Sequence, residues 1–312
     1  MRIVVIEPLA VSKDLLNQII SNKISKEHEV IIYDTKVTDT DSLIKRCKNA
    51  DIIALGNLPL NKDVLKECTN LKMVAIAFTG VDHVDVDYCK KNNILISNCA
   101  GYSTVAVAEL TFGLIMNLTR NINECDRATR NNRTKDGLVG FELENKTLGI
   151  IGTGAIGLRV AELAKAFGMK VIAYSRTTKD NGIEYKNLED VLIESDIVSL
   201  HLPLNDSTRN LIKMKELSLM KESSFLINTA RGPIVNTEDL AYALKNKIIS
   251  KAAVDVFDVE PPIPSSNPLL DLDNIIVTPH IAFATNESMI KRANIEFENI
   301  ANFINNKPSN LI

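Results

Sequence analysis

The segment Leu148-Gly149-Ile150-Ile151-Gly152-Thr153-Gly154-Ala155-Ile156-Gly157 constrains this chain more than any other. An apolar run of strand length meets three glycines spaced GxGxxG, and a helical pattern over 158–167 follows at once. Gly152 allows a tight turn, Gly154 lets backbone amides at a helix N-terminus approach a pyrophosphate, and Gly157 lets helix and strand pack closely. A second strand at 170–174 follows at the distance a dinucleotide-binding βαβ unit requires. A glycine-rich turn without a ligand is the plainer alternative.

The rest of the chain fits that unit into an α/β protein with parallel sheets. Short apolar, β-branched runs alternate with longer amphipathic stretches almost from end to end. Strands are expected at 3–6, 30–33, 51–55, 73–77 and 94–97, with helices between them such as 14–20 and 39–48. A second series runs through 147–151, 170–174, 197–201, 224–228, 252–256 and 274–278. Between the series, 105–116 is apolar on nearly all sides, with Ser103 or Thr104 placed to cap it. Such a helix is predicted to be buried on every face, as a domain-joining or dimer-interface helix would be. A polar stretch, 117–135, follows it. The last helical pattern, 287–304, comes after the second series and is placed to pack back on the first.

A length of 312 residues accommodates two domains. We expect a substrate domain of 1–100 plus 283–312, a dinucleotide-binding domain of 101–282, and a cleft between them. The fold class is thus α/β with two doubly wound parallel-sheet domains.

Composition excludes several other classes. The formal charge is 36 − 39 = −3, without the basic excess of a nucleic-acid binder. Hydrophobic residues at 45% and charged residues at 24% exclude disorder, collagen and coiled coil as whole-chain readings. No apolar run approaches the ~18 residues of a membrane span. The run Ile3-Val4-Val5-Ile6 stops at Glu7-Pro8, too soon for a signal-peptide core, so the chain is expected in the cytoplasm. Five cysteines, Cys47, Cys68, Cys89, Cys99 and Cys125, form no CxxC and no metal-ligand spacing. They read as reduced structural thiols, and no metal is expected.

The end of the second strand of the dinucleotide unit should meet the adenosine ribose. It reads Tyr174-Ser175-Arg176-Thr177, with no carboxylate to repel a 2′-phosphate. Ser175 can hydrogen-bond that phosphate and Arg176 can pair with it bidentately, so NADP(H) is favoured over NAD(H). In the alternative, Arg176 is solvated and NAD(H) binds.

Further along, three strands end in Asn228-Thr229-Ala230-Arg231-Gly232, in Asp255-Val256-Phe257-Asp258-Val259-Glu260-Pro261-Pro262 and in Thr278-Pro279-His280-Ile281-Ala282. The C-terminal strand ends of an open parallel sheet line its ligand crevice, so a guanidinium, a carboxylate and an imidazole can converge there. With GTGAIG before them, these motifs stand in register, Arg231 to Glu260 spaced by 29 and Glu260 to His280 by 20. Over essentially its full length the chain resembles the D-isomer-specific 2-hydroxyacid dehydrogenases. That resemblance implies a flavodoxin-like substrate domain, a Rossmann cofactor domain, and a homodimer through the cofactor domains.

The resemblance also implies roles. Arg231 would clamp the substrate carboxylate and polarise the 2-oxo group, His280 would be the acid/base, and Glu260 would orient that imidazole and stabilise its protonated form. Asp255 would lie by the nicotinamide, and Thr208, Thr229, Ala230, Ala155 and Ile156 would line the cofactor. In the loop Phe78-Thr79-Gly80-Val81-Asp82, the amides of Gly80 and Val81 would meet the carboxylate, with Thr79 on the nicotinamide side.

The chemistry is coherent without the family. Reducing a 2-oxo acid puts negative charge on the carbonyl oxygen, which needs a proton, and a histidine beside a carboxylate can supply it. An arginine makes two parallel hydrogen bonds to the substrate carboxylate and favours the developing charge. Taken singly, Arg231 reads equally as a structural ion pair, Glu260 as a solvated residue and His280 as a satisfied histidine.

Within the family, His280-Ile281-Ala282-Phe283-Ala284-Thr285 and Ala100-Gly101-Tyr102-Ser103-Thr104 resemble the glycerate dehydrogenases, also called hydroxypyruvate or glyoxylate reductases. The product would be a D-2-hydroxy acid. Phosphoglycerate dehydrogenases are the nearest rival, although many carry a basic residue where this chain has Ile76. The other alternative is a non-catalytic, cofactor-sensing interaction protein of the same fold.

Overall fold

A computed structural model gives the fold and describes residues 1–178, 180, 182–259 and 262–312. The predicted residue Glu260 lies outside the described residues. The chain divides into two compact units, Met1–Ser103 with Ala284–Ile312, and Thr104–Phe283.

In the first unit β1 (Arg2–Val5), β2 (Glu29–Ile32), β3 (Ile52–Leu55), β4 (Met73–Ile76) and β5 (Leu95–Ser97) form a parallel sheet in the order β2-β1-β3-β4-β5. β3 and β4 are buried at every residue, because helices cover both faces of a parallel sheet. The long helix Asn286–Ile304 starts at a Thr285–Ser288 capping box. It buries Ala293, Phe297 and Ile300 in one cluster with Ile3, Val5, Leu16 and Ile19, so the chain's last helix completes the core that its first strand begins.

The second unit has a seven-stranded parallel sheet among the described residues, ordered β12-β11-β10-β9-β6-β7-β8. Its strands are β6 (Thr147–Ile151), β7 (Lys170–Tyr174), β8 (Glu184–Tyr185), β9 (Ile197–Leu200), β10 (Phe225–Asn228), β11 (Lys251–Val254) and β12 (Ile275–Val277). The order reverses at β6, which lies between β7 and β9, and that reversal opens a crevice at the strands' carboxyl ends.

Most strands match their expected positions to within a residue or two, the usual uncertainty at ends that fray. The two-residue edge strand β8 was not expected, since two residues are too few to show an alternation. The predicted all-round burial of the helix after Ser103 needs correction. Helix Thr104–Arg120 buries nine residues, yet Val105 is 42% exposed and Glu109 and Gly113 are exposed too. These three recur every four residues and so share one line along the helix, an open stripe. The polar stretch after it contains a second helix, Ile122–Arg130, which buries none of its side chains. Among the described residues no helix is long and apolar enough to cross a membrane.

Candidate active site

The phosphate loop follows from its glycines. Gly152 sits at φ +102°, and a Cβ there would lie 2.4 Å from the carbonyl oxygen of His201. A Cβ on Gly157 would lie 2.1 Å from the carbonyl oxygen of Gly152, so the helix Ala155–Ala166 can approach β6 this closely only without a side chain. Gly154 is different: it is the helix N-cap, no side chain caps the helix, and a Cβ there would meet nothing within 4 Å. First-turn amides without a side-chain acceptor, facing open space, suit an anionic diphosphate. The residues therefore fit a dinucleotide, with Ala155 and Ile156 as the first helical residues.

A groove of about 260 Å³ adjoins this loop. Gly152, Thr153 and Gly154 line one side, Tyr174, Ser175, Arg176 and Thr177 another, and His201, Pro203, Ser207 and Thr208 a third. The structure thus brings Ser175 and Arg176 together with the phosphate loop, as expected, with Arg176 exposed to solvent. Thr208 is buried. Its hydroxyl donates to the Pro203 carbonyl at 2.7 Å and accepts from the Asn205 N–H at 2.9 Å, which shapes the groove wall. Burial pushes the pKa of His201 down to about 4, so its imidazole is neutral near pH 7, with Nε2 2.9 Å from the Ser199 hydroxyl. Tyr185 on the unexpected strand β8 donates its hydroxyl to Thr153 Oγ1 at 3.2 Å, steadying the phosphate loop from its flank.

Arg231 and His280 stand on turns after β10 and β12, the neighbours of β11 on either side. Asn228, 1% exposed, organises the first turn. Its Oδ1 accepts from the Ala230 N–H at 3.0 Å and its Nδ2 donates to the Arg231 carbonyl at 2.9 Å. Arg231 Nη1 donates to the Ala230 carbonyl at 2.8 Å, and Thr229 Oγ1 lies 3.0 Å from Thr111 Oγ1. Asp255, fully buried after β11, organises the other turn. Its carboxylate accepts from Thr278 Oγ1 at 2.6 Å and from the N–H groups of Ile281 at 2.9 Å and Ala282 at 2.8 Å. Burial raises the Asp255 carboxyl above the usual carboxylate range, opposed by these three donors and by nearby His280. Between the bonded residues, His280 adopts φ +56°, and its ring meets Phe283 edge to face at 5.3 Å. A non-glycine residue at positive φ persists only when its surroundings over-determine it, and the three bonds to Asp255 do so here.

The residues expected to form a substrate loop, Thr79, Gly80 and Val81, belong to the first unit. The Thr79 carbonyl accepts from Asn98 Nδ2 at 2.8 Å, the Val81 carbonyl accepts from the Val84 N–H at 3.0 Å, and Val81 packs on that unit's core. Sequence reasoning missed Asn228, Thr278 and Tyr185 as supports. Asn228 had a signal, a polar residue ending an otherwise apolar strand, whereas Tyr185 had none.

A family profile described as D-isomer specific 2-hydroxyacid dehydrogenase, NAD binding domain, matches residues 112–282. A glyoxylate reductase of Aeropyrum pernix is 40% identical over 305 residues, covering 93% of this chain and 91% of the relative. Other curated relatives are named hydroxypyruvate reductase and glycerate dehydrogenase. Among solved structures, an acyclic imino acid reductase in complex with NADPH and D-Arg superimposes with a TM-score of 0.91 at 32% identity, covering 100% of both chains. A D-lactate dehydrogenase from Aquifex aeolicus, complexed with NAD and lactic acid, gives a TM-score of 0.86 at 32% identity, covering 98% of this chain and 96% of that one.

Proposed function

Because the chain belongs to the D-isomer specific 2-hydroxyacid dehydrogenase family, we propose that it reduces a small 2-oxo acid, hydroxypyruvate or glyoxylate first, to the D-2-hydroxy acid. The observation that carries this reading is the pair of strand-end turns bearing Arg231 and His280, each fixed by its own buried polar residue, Asn228 and Asp255. The names of the curated relatives support the substrate class.

When bound, the reduced nicotinamide supplies the hydride for the carbonyl carbon. Arg231 pairs with the substrate carboxylate and favours the charge growing on the 2-oxo oxygen. His280 delivers the proton to that oxygen, and Glu260 is its proposed orienting partner. Gly80 and Val81 offer main-chain amides to the carboxylate, with Thr79 toward the nicotinamide. Gly152, Gly154, Ala155, Ile156 and Gly157 hold the diphosphate, and Thr208, Thr229, Ala230 and Asp255 serve the rest of the cofactor. Ser175 and Arg176 meet a 2′-phosphate, so NADPH is favoured over NADH. The open stripe on helix Thr104–Arg120 and the helix after it, none of whose residues is fully buried, support a homodimer through the second unit. Free cysteines, four of them buried, support a reducing, cytoplasmic setting.

Initial rates at 340 nm with hydroxypyruvate, glyoxylate, pyruvate and 3-phosphohydroxypyruvate, each against NADPH and NADH, test the reading. Turnover of hydroxypyruvate or glyoxylate at ~10 per second or faster is expected. Preference for the phosphorylated acid would replace the substrate assignment. Tight cofactor binding without turnover of any of the four would favour the sensor alternative.

The cofactor preference has its own test. Ser175→Asp places a carboxylate where the 2′-phosphate is proposed to sit, and the ratio of kcat/KM with NADPH to that with NADH is expected to fall by about tenfold or more. An unchanged ratio would remove Ser175 and Arg176 from phosphate recognition.

A further inference from the structure

The helix Asn286–Ile304 carries three polar side chains into the core of the first unit that the reaction leaves unused: Arg292 at 3% exposure, Glu296 at 0% and Asn299 at 0%. Burying a guanidinium and a carboxylate is costly, and apolar residues of similar volume commonly serve stability as well or better. Their presence calls for a reason beyond packing.

Arg292 reaches the substrate loop through aromatic rings. Its Nη2 donates to the Leu9 carbonyl at 2.7 Å, and the guanidinium carbon lies 4.6 Å from the ring centre of Phe78 and 6.0 Å from that of Tyr102. The two rings meet edge to face at 6.0 Å and 85°. Among the described residues, Arg292 Nε and both carboxylate oxygens of Glu296 have no hydrogen-bond partner, so the guanidinium is not consumed by a tight ion pair. The other buried acid nearby, Glu7, is engaged with the Leu58 N–H at 2.8 Å and Lys36 Nζ at 3.3 Å. Burial holds the Glu296 carboxyl well above the usual range, with Arg292 opposing the shift and Glu7 reinforcing it. A desolvated cation over an aromatic face is a strong, directional contact.

A second strut leaves the same helix. Asn299 Nδ2 donates to the Asn98 carbonyl at 2.8 Å, and Asn98 Nδ2 donates in turn to the Thr79 carbonyl at 2.8 Å. The Phe78 carbonyl accepts from the Cys99 N–H at 2.9 Å. One helix therefore pins the Phe78 ring and, through Asn98, the Thr79 carbonyl, immediately before Gly80 and Val81.

We propose that Arg292 and Asn299 are positioning residues that hold the Thr79-Gly80-Val81 backbone in the geometry that binds the 2-oxo acid carboxylate, acting through the Phe78–Tyr102 ring pair and through Asn98. The inference rests on the assignment of this loop to the substrate. Main-chain amides bind a carboxylate well only when their directions are fixed in advance, and a displacement of about 1 Å can cost about a hundredfold.

The 312-residue chain tests it in three forms. Arg292→Met alone also removes the cation that opposes the upward shift of the buried Glu296 carboxyl, so the informative variant is the double Arg292→Met/Glu296→Gln, which removes both ionisable side chains together. Phe78→Leu keeps every charge and removes the ring, and Arg292→Lys keeps a cation but not the guanidinium. The double variant and Phe78→Leu are expected to raise KM for the 2-oxo acid about tenfold or more, with kcat changed less and cofactor Kd unchanged, and Arg292→Lys should fall between them and the wild type. Amide hydrogen exchange across 79–81 should speed up in both, a readout that needs no turnover. Wild-type KM in either folded variant, or unchanged exchange at 79–81, overturns the proposal. So does a rise in cofactor Kd parallel to KM, which marks general loosening. If the wild-type chain turned over no 2-oxo acid, the substrate reading would fail while the exchange result still decided the loop-positioning claim.

Discussion

Replacing Arg231 with Ala is expected to lower kcat/KM for the 2-oxo acid by about 10³-fold or more, roughly 4 kcal/mol of transition-state stabilisation. Cofactor Kd should change little, because the phosphate loop and its groove stand on other strand ends. The size follows from what the guanidinium does. It presents five N–H donors in a planar fork, and Nη1 places one on the Ala230 carbonyl at 2.8 Å, which orients the group on its turn. The Arg231 carbonyl is held in turn by Asn228. A pre-oriented cation stabilises charge as it develops without having to reorganise. Arg231→Lys keeps the charge and loses the fork, so it should recover only part of the loss. Wild-type kcat/KM in Arg231→Ala would remove the residue from the mechanism.

His280→Ala is expected to lower kcat by about 10²- to 10⁴-fold, the usual worth of a positioned general acid. Cofactor affinity should be retained, and the pH–rate profile should lose the limb that this residue contributes. The turn explains why a neighbour cannot substitute. His280 is at φ +56°, its N–H donates to the Thr278 carbonyl at 3.0 Å, and Asp255 grips the residues on both sides of it. The other histidine at a strand end, His201, is held neutral by burial and lines the adjacent groove wall, so it is a poor replacement proton donor near pH 7. An unchanged pH–rate profile would refute the acid/base role.

Parts of this site were legible in the sequence because their determinants are local. GxGxxG predicts a turn, an open N-terminus and a close approach, and Gly152, Gly154 and Gly157 meet those three conditions one by one. Buried β-branched runs marked both parallel sheets, since a strand covered on two faces has no polar alternation to hide it. Ser175 and Arg176 could be placed beside the phosphate loop because β6 and β7 pair in parallel, Ile151 opposite Tyr174, so the two strands end together.

Other parts were not legible. The apolar count over 105–116 predicted burial on all sides, but a count carries no direction, and the helix leaves Val105, Glu109 and Gly113 on one open line. Asp255 was placed in the site by family resemblance alone. That it acts by accepting three hydrogen bonds from residues 23 to 27 positions onward appears only once β11 and β12 lie side by side.

By itself the sequence determined the fold class, the alternation of strands and helices, and the phosphate loop, and it supplied the candidates for the reactive side chains, because periodicity, glycine placement and motif order act over a few residues. Only the tertiary structure decided what buttresses the loop that begins at Phe78. Arg292 lies over Phe78 and Asn299 bonds to Asn98, pairs about 200 residues apart in the chain. Residues so distant are brought together by the packing of a helix on a sheet, and on a helical pattern Arg292 and Glu296 read as ordinary surface charges until that packing removes them from water.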